Sequence, residues 1–262
     1  MMDKFGVLFS FNIKMLNALS LSISALRRLR YSKSLIKRNH EMVKYKKNNT
    51  LYVLGLGPSL KKVDVSGLDG DIICSNRFYK FQEAESCTPQ FYCLMDDEYF
   101  VGKAVDDFLC AYRLYPNTQF LLNGKYKSEI ENAIGKRDNV FYIYGWSGLI
   151  KARSALDFTK NLPIALNVVC RMIEAGIYMN YNKIVLLGCD FNSFAMLKDK
   201  HCYDDKEDNV QWKLSYELFC YAFAAKEHEI LATIAQNRGI DILNATEGSL
   251  IDAYPRVKID KE

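Results

Sequence analysis

The chain has 262 residues, 49% hydrophobic and 25% charged. That is enough for one large domain or two small ones with a full core, and it excludes disordered, collagenous and repeat architectures. The formal charge of +4 is uneven: residues 1–50 hold eleven Lys or Arg against Asp3 and Glu41, hence +9, leaving −5 for the rest. A basic arm on a mildly acidic body faces something anionic. The eight cysteines lack the C-x-x-C spacing of zinc or redox sites, and Cys74, Cys93, Cys170 and Cys189 sit inside apolar runs. They are expected to be reduced thiols of a cytosolic protein.

In chain order, residues 1–49 read as the basic amphipathic arm. Phe9, Ile13, Leu16, Leu19, Ile23 and Leu26 recur at helical steps, and Arg27, Arg28, Arg30, Lys33, Lys37 and Arg38 follow. Asn12, Lys14, Asn17 and several serines interrupt the apolar stretch, so it falls short of the roughly 20 apolar residues of a spanning helix. No small-residue cleavage site follows a basic start, so no signal peptide is expected. Two readings stay open. The arm packs on its own domain or on a second subunit of a homo-oligomer. Alternatively, residues 1–40 lie in the plane of an anionic membrane, which implies a cytoplasmic protein peripheral on the inner face. Nucleic acid is not an expected partner, because the arm has few aromatics to stack on bases.

Residues 50–262 read as one nucleotide-sugar-binding α/β domain. Strand-length apolar runs occur at 51–54, 72–74, 91–95, 119–122, 140–144, 184–189 and 240–243. Helix-period segments lie between them at about 98–113, 125–135, 163–178 and 212–238, with Pro163 suited to a first helical turn and Gly239 to a helix stop. The alternation predicts a Rossmann-like, mostly parallel sheet with helices on both faces. In such sheets ligands bind beyond the carboxyl ends of the strands, so residues directly after strands are the candidates.

Gly55, Gly57, Pro58 and Ser59 follow the first strand. Two glycines let a phosphate approach the backbone, a helix start offers N–H groups, and Ser59 adds a hydroxyl; a plain tight turn has the same sequence. Asn76 follows the second strand with an amide suited to a ribose or base edge, or to capping its own loop. Asp96 and Asp97 follow the third, as nucleotide contacts, a magnesium site or a helix N-terminus. Asp190 ends the most apolar strand, where a carboxylate without a role is unfavourable. His201 lies in the polar loop 192–211. It is the candidate base, because histidine titrates near neutral pH, whereas His228, between Glu227 and Glu229, reads as a solvated helix face.

Together, Gly55–Leu60, Ser75–Phe78, Gly188–Phe191, the segment 244–250 (Asn-Ala-Thr-Glu-Gly-Ser-Leu) and Pro255-Arg256-Val257 resemble two related groups. One is the bacterial sialyltransferases that use CMP-activated sialic acid. The other is the broad family of the archaeal hydroxymethylpterin pyrophosphokinase, which includes many polysaccharide-locus proteins. The resemblance covers about 50–257. It implies a metal-independent variant of the GT-A glycosyltransferase fold, with Gly55, Gly57, Ser59 and Asn76 around CMP and Asp190 near the nucleotide. Two positions depart from the sialyltransferase pattern. The tyrosine that stabilises the leaving phosphate, directly after D-F, is Asn192 here, and the family's catalytic histidine falls on Ala222. The leading expectation is an inverting glycosyltransferase of surface polysaccharide or lipopolysaccharide synthesis. It would take a CMP-activated donor and a glycan or lipid-linked acceptor, with His201 and Asp190 as catalytic residues and no cofactor. The alternatives are a pyrophosphokinase holding magnesium on Asp96 and Asp97, and a non-catalytic nucleotide-sugar-binding protein.

Overall fold

The computed structural model describes residues 36–204 and 212–258 together with Met15 and Ala18, and among these nine strands and five complete α-helices follow one another. The apolar stripe from Phe9 to Leu26 and the basic cluster 27–33 lie outside the described residues. The strands are β1 (Thr50–Leu54), β2 (Asp71–Ser75), β3 (Phe91–Leu94), β4 (Gln119–Asn123), β5 (Val140–Ile143), β6 (Gly145–Leu149), β7 (Leu162–Ile164), β8 (Lys183–Leu187) and β9 (Asp241–Asn244). The helices are α1 (Glu98–Val101), α2 (Val105–Leu114), α3 (Lys127–Ile134), α4 (Val168–Tyr178) and α5 (Leu214–Asn237).

Seven strands form one parallel sheet in the order β5-β4-β3-β2-β1-β8-β9, and β6 pairs with β7 beside it. The strands are apolar on both sides because both faces are covered. Leu51, Val53, Ile73, Phe91, Cys93 and Leu121 pack with Cys170, Met172, Ile173 and Ile177 of α4 and Leu231 and Ile234 of α5. The alternate residues Leu54, Ile72, Cys74, Tyr92, Leu94 and Phe120 pack with Phe108 and Ala111 of α2 and Ile130 and Ile134 of α3. The chain moves outward from β1 to β5, then returns to β8 on the other side of β1. That reversal is a topological switch point, and it opens a crevice at the carboxyl ends of β1 and β8.

All seven expected strands of the main sheet form, within two residues of their bounds. Two helices need correction. Pro163 does not open a helix: it sits in β7, a short edge strand that tolerates its missing N–H. The helix starts five residues later at Val168, where the Asn167 side chain accepts the Val169 N–H (2.8 Å) and caps the turn. The segment 98–113 is broken at Gly102, whose extended backbone ends α1 before α2 begins. Residues 38–45 form a 3₁₀ run on the body, with Met42 fully buried and the Asn39 amide donating to the carbonyls of Tyr142 and Phe158 (both 2.9 Å). The eight cysteines carry free thiols, six of them buried.

Candidate functional site

A cleft of about 770 Å³ opens at the switch point, lined by Gly55, Gly57, Asn76, Asp96, Asp190 and His201 among others. They come from the ends of β1, β2, β3 and β8 and from the loop after β8, so residues up to 146 positions apart in sequence meet here.

The loop after β1 is bonded to the exit of β8. Gly55 N–H donates to the Leu187 carbonyl (2.7 Å), Gly57 N–H to Gly188 (2.8 Å) and Leu60 N–H to Gly57 (3.1 Å). Pro58–Lys62 form only a short 3₁₀ turn. Its N-terminus is occupied by Asp190, whose carboxylate accepts the Ser59 hydroxyl (2.6 Å) and the Ser59 N–H (3.3 Å). These amides bond the strand ends, and the Ser59 hydroxyl and amide bond Asp190. The glycines are needed for the junction itself. A Cβ on Gly57 would lie 2.0 Å from Asp190 Oδ2, and one on Gly55 2.4 Å from the Gly188 carbonyl oxygen.

Asp190 is almost fully buried, and the chain end holds it in place. Ser249 Oγ donates to the Cys189 carbonyl (2.7 Å) and Leu250 N–H to the Asp190 carbonyl (2.9 Å). Thr246 Oγ1 accepts the Cys189 N–H (3.0 Å), and Asn244 Nδ2 donates to Ser249 Oγ and the Ile251 carbonyl (3.0 Å each). The closing segment 244–250 is thus a clamp on the exit of β8, a role the sequence reading did not assign. The exit turns through two left-handed residues, Gly188 (φ 64°) and Phe191 (φ 60°). Such strain in a non-glycine residue is characteristic of functional sites. Cys189 borders the cleft, and burial pushes its thiol up to about 12.

Asn76 is also left-handed (φ 51°), and its carbonyl accepts the Tyr92 hydroxyl (2.7 Å). Its side-chain Oδ1 is buried with no partner among the described residues, and an acceptor in that state requires a donor. Next to it, Arg77 lines the cleft with Nε on Asp107 (2.7 Å) and Nη2 3.8 Å from Glu98. Asp97 is held by Lys125 (3.0 Å). Although Asp96 reaches solvent, the protein packed round it, with the charges of Glu98 and Asp97, raises its carboxyl above the ordinary value. Among the described residues no group of three or more His, Cys, Asp or Glu could hold a metal ion.

The two histidines differ most. His201 borders the cleft half-buried, its ring stacked on Tyr203 (5.0 Å, 14°). His228 is not on a solvated face, and that expectation is corrected. It is 1% exposed and hydrogen-bonds Tyr254 Oη through Nδ1 (3.0 Å) and Cys170 Sγ through Nε2 (3.5 Å). Burial lowers its pKa to about 4, so it stays neutral. It belongs to a buried polar floor under the cleft. There Arg171 binds Glu174 and the Pro163 carbonyl (2.7 Å for the latter), and Glu227 accepts the Leu166 N–H (3.4 Å). Burial, then the charge of Glu174, pushes Glu227 up to about 8. Tyr221 of α5, unnoticed in the sequence, reaches the cleft beside Phe191 (4.6 Å between rings) and bonds Ser193 Oγ (2.6 Å).

No family model matches the chain, and no curated protein sequence does. Solved structures do. The sialyltransferase CstII from Campylobacter jejuni in complex with cytidine-5′-monophosphate is 17% identical at a TM-score of 0.50, over 79% of this chain and 84% of that one. CstII with a trisaccharide acceptor and CMP is 16% identical at 0.50, over 79% and 85%. The monofunctional α-2,3-sialyltransferase Cst-I from Campylobacter jejuni is 12% identical at 0.50, over 80% of each chain. The likeness bears on the sialyltransferase half of the sequence resemblance and adds nothing to the pyrophosphokinase half. The chain has the α/β fold of these sialyltransferases, a parallel seven-stranded sheet with helices on both faces.

Proposed function

We propose that the protein is an inverting glycosyltransferase of surface polysaccharide or lipopolysaccharide synthesis. It takes a CMP-activated, sialic-acid-like donor and passes the sugar to a glycan or lipid-linked acceptor. The observation that carries this reading is the single cleft at the switch point, which unites Gly55, Gly57, Asn76, Asp96, Asp190 and His201 in a fold shared with structures of CMP complexes. Asn76, with its unpartnered Oδ1, takes a donor group of the nucleotide. Arg77 and the exposed Lys103 offset the charge of an anionic donor.

In the transfer, the acceptor hydroxyl oxygen attacks the anomeric carbon as the bond from that carbon to the phosphate oxygen breaks. His201 takes the hydroxyl proton, and CMP leaves. Tyr221 supplies the phenol that the sialyltransferases place directly after D-F, where this chain has Asn192, and donates to the departing phosphate. Asp190 holds the glycine loop in shape rather than moving a proton. No metal enters the scheme.

The test is a thermal-shift series with CMP, CDP, UDP, GDP and ATP, each with and without magnesium. CMP or CDP at a hundredfold excess over Kd should raise Tm by about 5–10 °C without metal. A response confined to ATP with magnesium overturns the reading in favour of the pyrophosphokinase. Binding of CMP with no transfer or donor hydrolysis reduces the protein to a nucleotide-sugar carrier.

A further inference from the structure

The outer rim of one wall of the cleft has no part in that chemistry. Trp212, just before α5, and Tyr216 on its first turn are 61% and 51% exposed, and their rings lie 5.1 Å apart at 36°. Both border the cleft, as do Glu217, Cys220 and Tyr221. Tyr216, Glu217, Cys220 and Tyr221 share one face of α5, and with Trp212 just before it they line the cleft from the open rim down to Tyr221 beside Phe191. Two large aromatic faces are left in water at the mouth of a polar cleft, and such surface is retained where something binds it.

We infer that Trp212 and Tyr216 form the platform on which the acceptor glycan stacks, an assignment that rests on the glycosyltransferase reading above. A pyranose ring packs its C–H face on an aromatic face, while the hydroxyls round its edge hydrogen-bond to carboxylates such as Glu217. Two adjacent tilted rings offer faces to two successive sugars. The same aromatics would also suit a lipid interface, but Glu217 beside them and a row that leads down into a polar cleft favour a saccharide. The row ends at Tyr221 and Phe191, so a chain of sugars laid along it points its terminal hydroxyl into the cleft.

The chain has two tryptophans, Trp146 and Trp212, so intrinsic fluorescence reads the platform without an activity assay. Lactose, maltotriose and chitotriose are titrated separately, and vesicles of phosphatidylethanolamine and phosphatidylglycerol form a further arm. At least one saccharide should give a saturable blue shift that Trp212→Phe abolishes and Tyr216→Ala weakens at least tenfold. In transfer assays Trp212→Ala and Tyr216→Ala should raise the acceptor KM at least tenfold, with CMP affinity unchanged. Tyr216→Phe should restore the KM, because the ring face and not the hydroxyl does the binding. Both side chains are exposed, so an unchanged Tm accompanies each variant. A shift with vesicles and none with the three saccharides overturns the inference, as does an acceptor KM left at the wild-type value. A wild type that responds to saccharide but not to CMP keeps the platform and overturns the proposed function. The converse result removes the platform alone.

Discussion

His201 and His228 carry the same side chain in opposite surroundings, and the proposed transfer gives only His201 a part in the chemistry. His201 stacks on Tyr203 in the cleft; His228 is sealed between Tyr254 and Cys170. His201→Ala should therefore cut turnover by about 10²–10⁴, the usual worth of a general base, with CMP affinity close to wild type. His228→Ala should instead lower Tm, because it leaves a cavity and an unpaired Tyr254 hydroxyl. If His201→Ala keeps full activity, the base is another group. The buried floor makes a separate claim about pH. The folded state keeps a proton on Glu227 up to about pH 8, whereas the unfolded chain releases it near the ordinary value of 4.5. The folded state thus binds more protons between those values, and stability falls as pH rises through that window. His228 acts oppositely, but only between about 4 and 6.5. From pH 6.5 to 8 the wild-type Tm should fall, and Glu227→Gln should flatten that slope; equal slopes in the two proteins would remove the assignment.

At the scale of elements, the site is a junction of two strand exits. β1 and β8 end side by side, their loops exchange backbone hydrogen bonds, and Asp190 closes the 3₁₀ turn of the neighbouring loop. Gly57→Ala sets a methyl carbon 2.0 Å from Asp190 Oδ2, so one of the two must move. Overpacking of this kind costs about 1–3 kcal/mol. The variant should show a lower Tm in a thermal melt and a weaker CMP response, since the displaced carboxylate no longer fixes the loop. Ser59→Ala removes only the hydroxyl donor, and its loss should be smaller. If Gly57→Ala melts with the wild type, the junction is not as tight as its distances imply. Asn244–Leu250 completes this element from across the chain, and its value to the site lies in tying down β8's exit and not in touching a ligand.

The whole molecule combines a body of −5 with an N-terminal arm of +9. Ile36, Asn39 and Met42 are buried in the body, so a cut after residue 34 should leave a folded protein. A cut after residue 45 removes Met42 and the Asn39 bonds to Tyr142 and Phe158 and should lower Tm by several degrees; losing one buried Met side chain alone is worth about 2–5 kcal/mol. The shorter deletion should also weaken binding to anionic vesicles at low salt if the arm docks on a membrane. Unchanged vesicle binding would leave the arm to protein contacts. No helix among the described residues is long and apolar enough to cross a membrane.

The sequence by itself determined the parallel sheet, because doubly covered strands such as Ile184–Leu187 are apolar throughout and alternate with helical periods. It also placed Gly55, Asn76, Asp96 and Asp190 directly after strands, the positions beyond which ligands lie in such folds, and the structure brings them to one cleft. Only tertiary structure decided what those residues touch. That Ser59 serves Asp190 depends on β1 and β8 being neighbours, 131 residues apart in sequence. Nothing local distinguishes His228, flanked by two glutamates, from a solvated helix face; its burial comes from α4 and Tyr254 closing over it. Pro163 falls in a strand because Gly145–Leu149 lies beside it, a pairing with no sequence period. Periodicity is a property of one segment and can be read along it, whereas a hydrogen bond between distant segments exists only once the chain has brought them together.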